Sequence, residues 1–84
     1  MTKTDFRAAF LEELTRIAPD IDPATVGDDD HIQDDLELDS MDVLNLVTAL
    51  HERFNVNIPE ADYDEIGSPG RAAAYLARES AAGD

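Results

Sequence analysis

The sequence has no cysteine and no tryptophan, and five of its 84 residues are aromatic. Without cysteine there is no disulfide framework, no thiolate metal site and no cysteine nucleophile of the chain's own, so any thiol chemistry must be imported. With so few rings, aliphatic side chains must fill most of the core. Lysine and arginine are scarce too: six, against twenty aspartates and glutamates, for a formal charge of −14, and none lies between Arg16 and Arg53. That gap holds Asp20, Asp22, Asp28, Asp29, Asp30, Asp34, Asp35, Glu37, Asp39, Asp42 and Glu52, a negative field that steers basic partners and repels nucleic acid and anionic membrane. No apolar run is long enough to cross a bilayer, and the opening "MTKTDFRAAFLEELTRIAP" has neither an uninterrupted apolar h-region nor a small-residue cleavage site. A soluble, cytoplasmic monomer with no nucleic-acid partner and no membrane insertion is expected.

What remains is enough to fold. Hydrophobic residues make up 43% of the chain, and a chain this short buries roughly 60–65% of its unfolded surface, which suits one domain over 1–84. Phe6, Phe10, Leu14 and Ile17 recur at helical steps, predicting a helix over 4–18 whose Lys3, Arg7, Glu12, Glu13 and Arg16 side faces water. Pro19 ends it. From Pro19 to Asp39 the turn formers Pro23 and Gly27 predict a long loop, with Ile21, Val26, Ile32, Leu36 and Leu38 spaced as anchors onto the core.

A second helix is predicted over 40–54. Asp39 is its N-cap, and Asp42 three residues on completes an arrangement resembling a capping box. Val43, Leu46, Val47, Leu50 and Phe54 share its core face, which leaves Met41, Leu44, Asn45, Thr48 and Glu52 opposite. Asn55 suits a left-handed helix stop, Ile58 an anchor, and Pro59 the opening of a short helix over 59–65. Ser68 and Pro69 start a last helix over 69–80 that turns Ala72, Ala73 and Leu76 inward. No period-two strand pattern appears. The fold class is all-α: a small bundle of three longer helices and one short one, with the long ordered loop between the first two.

Enzymatic readings lack parts. Ser40 has no G-x-S-x-G context, and the histidines are two isolated residues, His31 in the loop and His51 on the solvent side of the second helix. A calcium loop starting at Asp28 would need a polar ligand at Ile32, glycine at Gln33 and glutamate at Asp39, and it fails at each. No metal site is expected.

A serine near a helix start is ordinary by itself. Here it sits in "LELDSMDVL", with acids at Asp34, Asp35, Glu37 and Asp39 before it, a full amphipathic helix to Phe54 after it, and then Val56-Asn57-Ile58-Pro59. Asp39-Ser40-Met41, the segment Phe54-x-Val-x-Ile-Pro59 and the late Ala-Ala-x-Tyr-Leu, in this order and spacing, resemble the phosphopantetheine-carrying acyl carrier protein family over nearly the whole chain. The chain departs from the family pattern at Leu38, where a small residue is common, and at Asn45 and His51, where acids are common.

The resemblance implies that Ser40 receives 4′-phosphopantetheine from coenzyme A as a phosphodiester, installed by a separate phosphopantetheinyl transferase. The arm's thiol then carries acyl intermediates as thioesters to enzymes of fatty-acid, polyketide or related acyl metabolism. It also implies that loading and processing enzymes dock their basic patches on Glu37, Leu38, Asp39, Met41, Asp42, Leu44, Thr48 and Glu52, and that the chain itself is no enzyme. The alternative is a non-enzymatic acidic interaction module with a carrier-like fold and no arm.

Overall fold

The computed structural model describes residues 2–82; Met1, Gly83 and Asp84 of the expected 1–84 domain lie outside the described residues. In chain order, α1 spans Lys3–Ile17, a 3-10 turn Pro23–Thr25, α2 Ser40–Phe54, a 3-10 helix Glu60–Ile66, and α3 Pro69–Ala82. Among the described residues there is no strand. The short element expected over 59–65 is thus a 3-10 helix led in by Pro59.

The first helix begins one residue earlier than periodicity implied, because Thr2 caps it. The Asp5 N–H donates to Thr2 Oγ1 at 3.2 Å and the Thr2 N–H returns the bond to Asp5 Oδ2 at 2.9 Å, a reciprocal capping box. The Thr2 backbone N–H, and after it the Thr2 side chain, hold the Asp5 carboxyl below its usual range. Phe6, Phe10 and Leu14 are buried as expected. Glu13, expected in water, is buried instead: Arg53 of α2 reaches its Oε2 at 2.7 Å, and Glu12 at 2.8 Å, so the pair ties α1 to α2. Helical spacing alone cannot show an ion pair formed across forty residues.

The loop is pinned at the positions its sequence marks. Val26, Ile32 and Leu38 are buried, and Ile21 and Leu36 pack against the same core. Two backbone bonds stitch it to the start of α3, Ile32 N–H to Gly67 carbonyl at 2.9 Å and Gly70 N–H to Asp28 carbonyl at 3.0 Å. The second contact is close, since a Cβ on Gly70 would sit 3.1 Å from that oxygen and push the two segments apart by a few tenths of an ångström. Arg7 pairs with Asp28 and also donates to the Val26 carbonyl at 3.0 Å. At the far end of α2, Asn55 adopts the expected left-handed stop at φ 55°, ψ 36°.

Ala72, Ala73 and Leu76 of α3 face inward as predicted, but the largest fully buried side chain is Tyr75, which periodicity left unassigned. Its hydroxyl donates to Asp62 Oδ2 at 2.9 Å, tying α3 to the 3-10 helix. Burial, reinforced by that carboxylate, pushes the phenol from its ordinary 10.0 up to about 12. The neutral phenol is therefore favoured by folding. Its contribution is complete below about pH 10 and is lost as pH rises toward about 12. Thermal melts of the wild type should steepen their decline in that window, whereas Tyr75→Phe, about 1 kcal/mol weaker at pH 7, should decline less steeply; parallel declines would contradict this.

Candidate functional site

The loop, α2 and the 3-10 helix meet around the start of α2. There the anchored loop delivers Asp39 to the start of α2, and the Asp42 N–H donates to Asp39 Oδ1 at 2.9 Å. The expected box is half formed: Asp39 caps, while among the described residues no bond returns from the Asp42 carboxylate. Ser40 follows as the first helical residue and is exposed. Among the described residues its hydroxyl has no hydrogen-bond partner, because the cap is already supplied. Its own N–H and that of Met41 belong to the unpaired donors of a helix start, which favour a nearby anion such as a phosphate diester.

Ser40 also stands on the rim of a half-open cleft of about 250 Å³ whose walls include His31, Gln33, Val43, Glu60, Tyr63, Asp64 and Gly67. Sequence reasoning did not find this cleft. It is assembled by three separate segments, and its signal was the pair Ile32 and Gly67, which only tertiary structure joins. His31 Nδ1 accepts the N–H groups of Gln33 at 3.2 Å and Asp34 at 3.3 Å. That arrangement makes Nδ1 the lone-pair nitrogen and leaves the ring proton on Nε2, against Gly67, where a Cβ would lie 3.1 Å away.

The outer face of α2 is as expected. Met41 is 63% and Leu44 47% exposed, the two large hydrophobics most open to solvent among the described residues, with Thr48 and Glu52 exposed beside them. Glu37 and Asp39 are exposed and Asp42 is half-buried. Leu38 is the correction to the docking set, since its burial agrees instead with its place among the loop anchors. It is 5% exposed and belongs to the core. Glu37 takes a left-handed turn at φ 61°, and the Leu38 N–H then closes onto the Ile32 carbonyl at 3.0 Å, which swings the leucine inward. A non-glycine residue in this conformation is not legible from side-chain pattern.

Charge sharpens the polarity of this end. Among the described residues, the arginine ion pairs engage Asp28, Glu12, Glu13, Glu65 and Glu79, while Asp35, Glu37, Asp39, Asp42 and Glu52 have no cationic partner. Such crowding destabilises the fold at low ionic strength. Raising salt from about 10 to about 150 mM shortens the Debye length from roughly 30 to 8 Å and should raise the melting temperature by several degrees; a melting temperature indifferent to salt would contradict it. Among the described residues, no group of three or more His, Cys, Asp or Glu is placed to hold a metal ion, and no helix is long and apolar enough to cross a membrane.

Fold and site together define a small helical carrier, built to display one serine at a helix start beside an acidic, partly apolar docking face. The family described as "Phosphopantetheine attachment site" matches residues 6–76, and the chain belongs to that family, among the acyl carrier proteins. It is 32% identical to the acyl carrier protein of Wolinella succinogenes over 72 residues, 86% of this chain and 88% of that one. It is 38% identical over 55 residues to the mitochondrial acyl carrier protein of Neurospora crassa, an overlap of 66% of this chain but 41% of that longer protein. The solved acyl carrier protein of Enterococcus faecalis superposes with a TM-score of 0.74 at 28% identity, covering 94% of this chain and 99% of that one. Members of the family are carriers rather than enzymes: they bear a covalent 4′-phosphopantetheine, receive it from a phosphopantetheinyl transferase and serve acyl-processing enzymes.

Proposed function

We propose that Ser40 is the attachment point of the arm and that the exposed face of α2 is where partner enzymes dock. The observation that carries this reading is a division of labour at the helix start: Asp39 caps α2, so the adjacent hydroxyl is exposed and uncommitted. The residues present fit the group. The free N–H end of α2 suits its phosphate, and the cleft alongside gives the arm a wall to lie against. When bound, the arm supplies a thiol that holds an acyl group as a thioester. The chain's own residues orient Ser40, keep the helix start formed and present charge to the partner.

Docking falls to Met41, Leu44, Thr48 and Glu52, with Glu37, Asp39 and Asp42 adding the negative field that draws basic patches. Carrying cargo on a tether replaces diffusion by an effective concentration of roughly millimolar, so selectivity passes to the enzymes that dock. A cytoplasmic monomer working in fatty-acid, polyketide or related acyl metabolism fits this acidic surface.

Incubation with coenzyme A, magnesium and a promiscuous phosphopantetheinyl transferase should add one arm per chain by intact mass. No addition, under conditions that load another carrier fully, would overturn the assignment. For docking, Leu44→Ala should lower the kcat/KM of such a transferase roughly five- to thirtyfold, the equivalent of about 1–2 kcal/mol, with an unchanged melting temperature. An undiminished rate would show that the contact lies elsewhere.

A further inference from the structure

The two histidines of the chain are wired in opposite senses. His51 Nδ1 lies 3.1 Å from the Val56 carbonyl; a carbonyl only accepts, so Nδ1 carries the proton and Nε2 can take a second one with no bond lost. His31 is the reverse. Its Nδ1 accepts from the N–H groups of Gln33 and Asp34 at 3.2 and 3.3 Å, so an added proton must land on the lone pair that holds them. Four consecutive N–H groups end on this residue: the ring takes Gln33 and Asp34, and the carbonyl takes Asp35 at 2.8 Å and Leu36 at 3.2 Å. The ring thus does what a serine or aspartate side chain does at a turn, with the difference that it titrates. The turn it closes carries Ile32 and Gln33, both on the wall of the cleft beside Ser40.

Histidine is the side chain that changes charge between about pH 5 and 8, and with 37% of the His31 side chain exposed its ring is open to protons. The groups around it are Asp34 and Asp35 from the loop, Glu60, Tyr63 and Asp64 from the 3-10 helix, and uncharged Ser40 and Val43 from α2. From α3, Arg71 donates to the Asp64 carbonyl at 3.3 Å. A protonated ring finds a carboxylate at hand, Asp34 Oδ2 lying 3.8 Å from Nδ1. It then exchanges two N–H donors for one ion pair. We propose that His31 is a proton-operated latch: neutral, its ring closes the turn at Gln33 and Asp34; protonated, it lets both N–H groups go and turns to the Asp34 carboxylate. The latch stands whether or not Ser40 bears an arm.

Nuclear magnetic resonance of the nitrogen-labelled protein, followed from about pH 8 to about pH 5.5 across the histidine range, tests it. Long-range nitrogen–proton spectra should show His31 as the Nε2–H form at the upper end. As the ring titrates, the protection of the Gln33 and Asp34 amides against solvent exchange, corrected for the intrinsic effect of pH, should fall roughly fivefold, the loss of about one hydrogen bond. The fall should share the midpoint of the His31 ring. In His31→Asn, whose side-chain oxygen can accept the same N–H groups but does not titrate, protection should stay level across the range. An Nδ1–H form of His31 at about pH 8, wild-type protection that does not follow the ring, or a fall that persists in His31→Asn would each overturn the proposal.

Discussion

Ser40→Ala should take up no arm at all while melting within about 0.5 kcal/mol of the wild type. The two halves of this expectation have different causes. Attachment requires the hydroxyl oxygen as one side of the phosphodiester, and alanine has none. Stability barely depends on it, since among the described residues that hydroxyl makes no hydrogen bond and is exposed, and surface changes without a structural role fall within about 0.5 kcal/mol. Asp39→Ala is the complementary case. It removes the acceptor for the Asp42 N–H and should cost about 1 kcal/mol, the usual loss for an N-cap, yet leave Ser40 able to be loaded. If Ser40→Ala melted far below the wild type, the hydroxyl would be holding the helix after all, and the division of labour would be wrong.

Arg53→Ala should be the most destabilising surface-reachable change, at about 2–3 kcal/mol. Glu13 has 6% of its side chain exposed and is bridged by Arg53 at 2.7 Å, a bond that also raises the arginine's pKa. Breaking a buried pair from one side strands the other charge, at about 3–5 kcal/mol when both are fully buried. Here Arg53 is 35% exposed, and Arg16 remains 3.4 Å from the Glu13 carboxylate, so the lower figure applies. For a domain of this size the melting temperature should fall by about 10–20 °C. Neutralising the stranded acid in Glu13→Gln/Arg53→Ala should recover part of that loss. A double variant less stable than the sum of the two singles would contradict the pairing.

The second helix was legible almost residue by residue. Its limits, its Asp39 cap, its buried and exposed faces and its Asn55 stop all follow from chemistry local in sequence, where a cap, a 3.6-residue period and a left-handed stop act within a few positions. The anchored loop was legible for a related reason, since aliphatic residues amid aspartates have nowhere favourable to go but the core. What escaped depends on partners distant along the chain. Glu13 goes inside because Arg53 meets it, and Tyr75 because Asp62 accepts a hydrogen bond from its hydroxyl. The cleft escaped too, being walled by the loop, α2 and the 3-10 helix at once.

This pattern explains why the serine could be singled out before the docking face was fully drawn. Ser40 needs only its neighbours to be displayed, whereas the surface around it depends on which way Leu38 points. With Leu38 inside, the apolar part of that surface reduces to Met41 and Leu44, set among acids that have no cationic partner among the described residues. A partner therefore reads two hydrophobic side chains through a negative field, an arrangement that favours fast, salt-sensitive encounters.

The most direct measurement is peptide mapping of the transferase-loaded wild-type protein by fragmentation mass spectrometry. The serines are Ser40, Ser68 and Ser80, and Ser68 is buried at the start of α3. The account predicts one arm per chain, found on the fragment ions that contain Ser40 and on no others. An arm located on Ser68, Ser80 or a threonine, or spread over several hydroxyls, would contradict it.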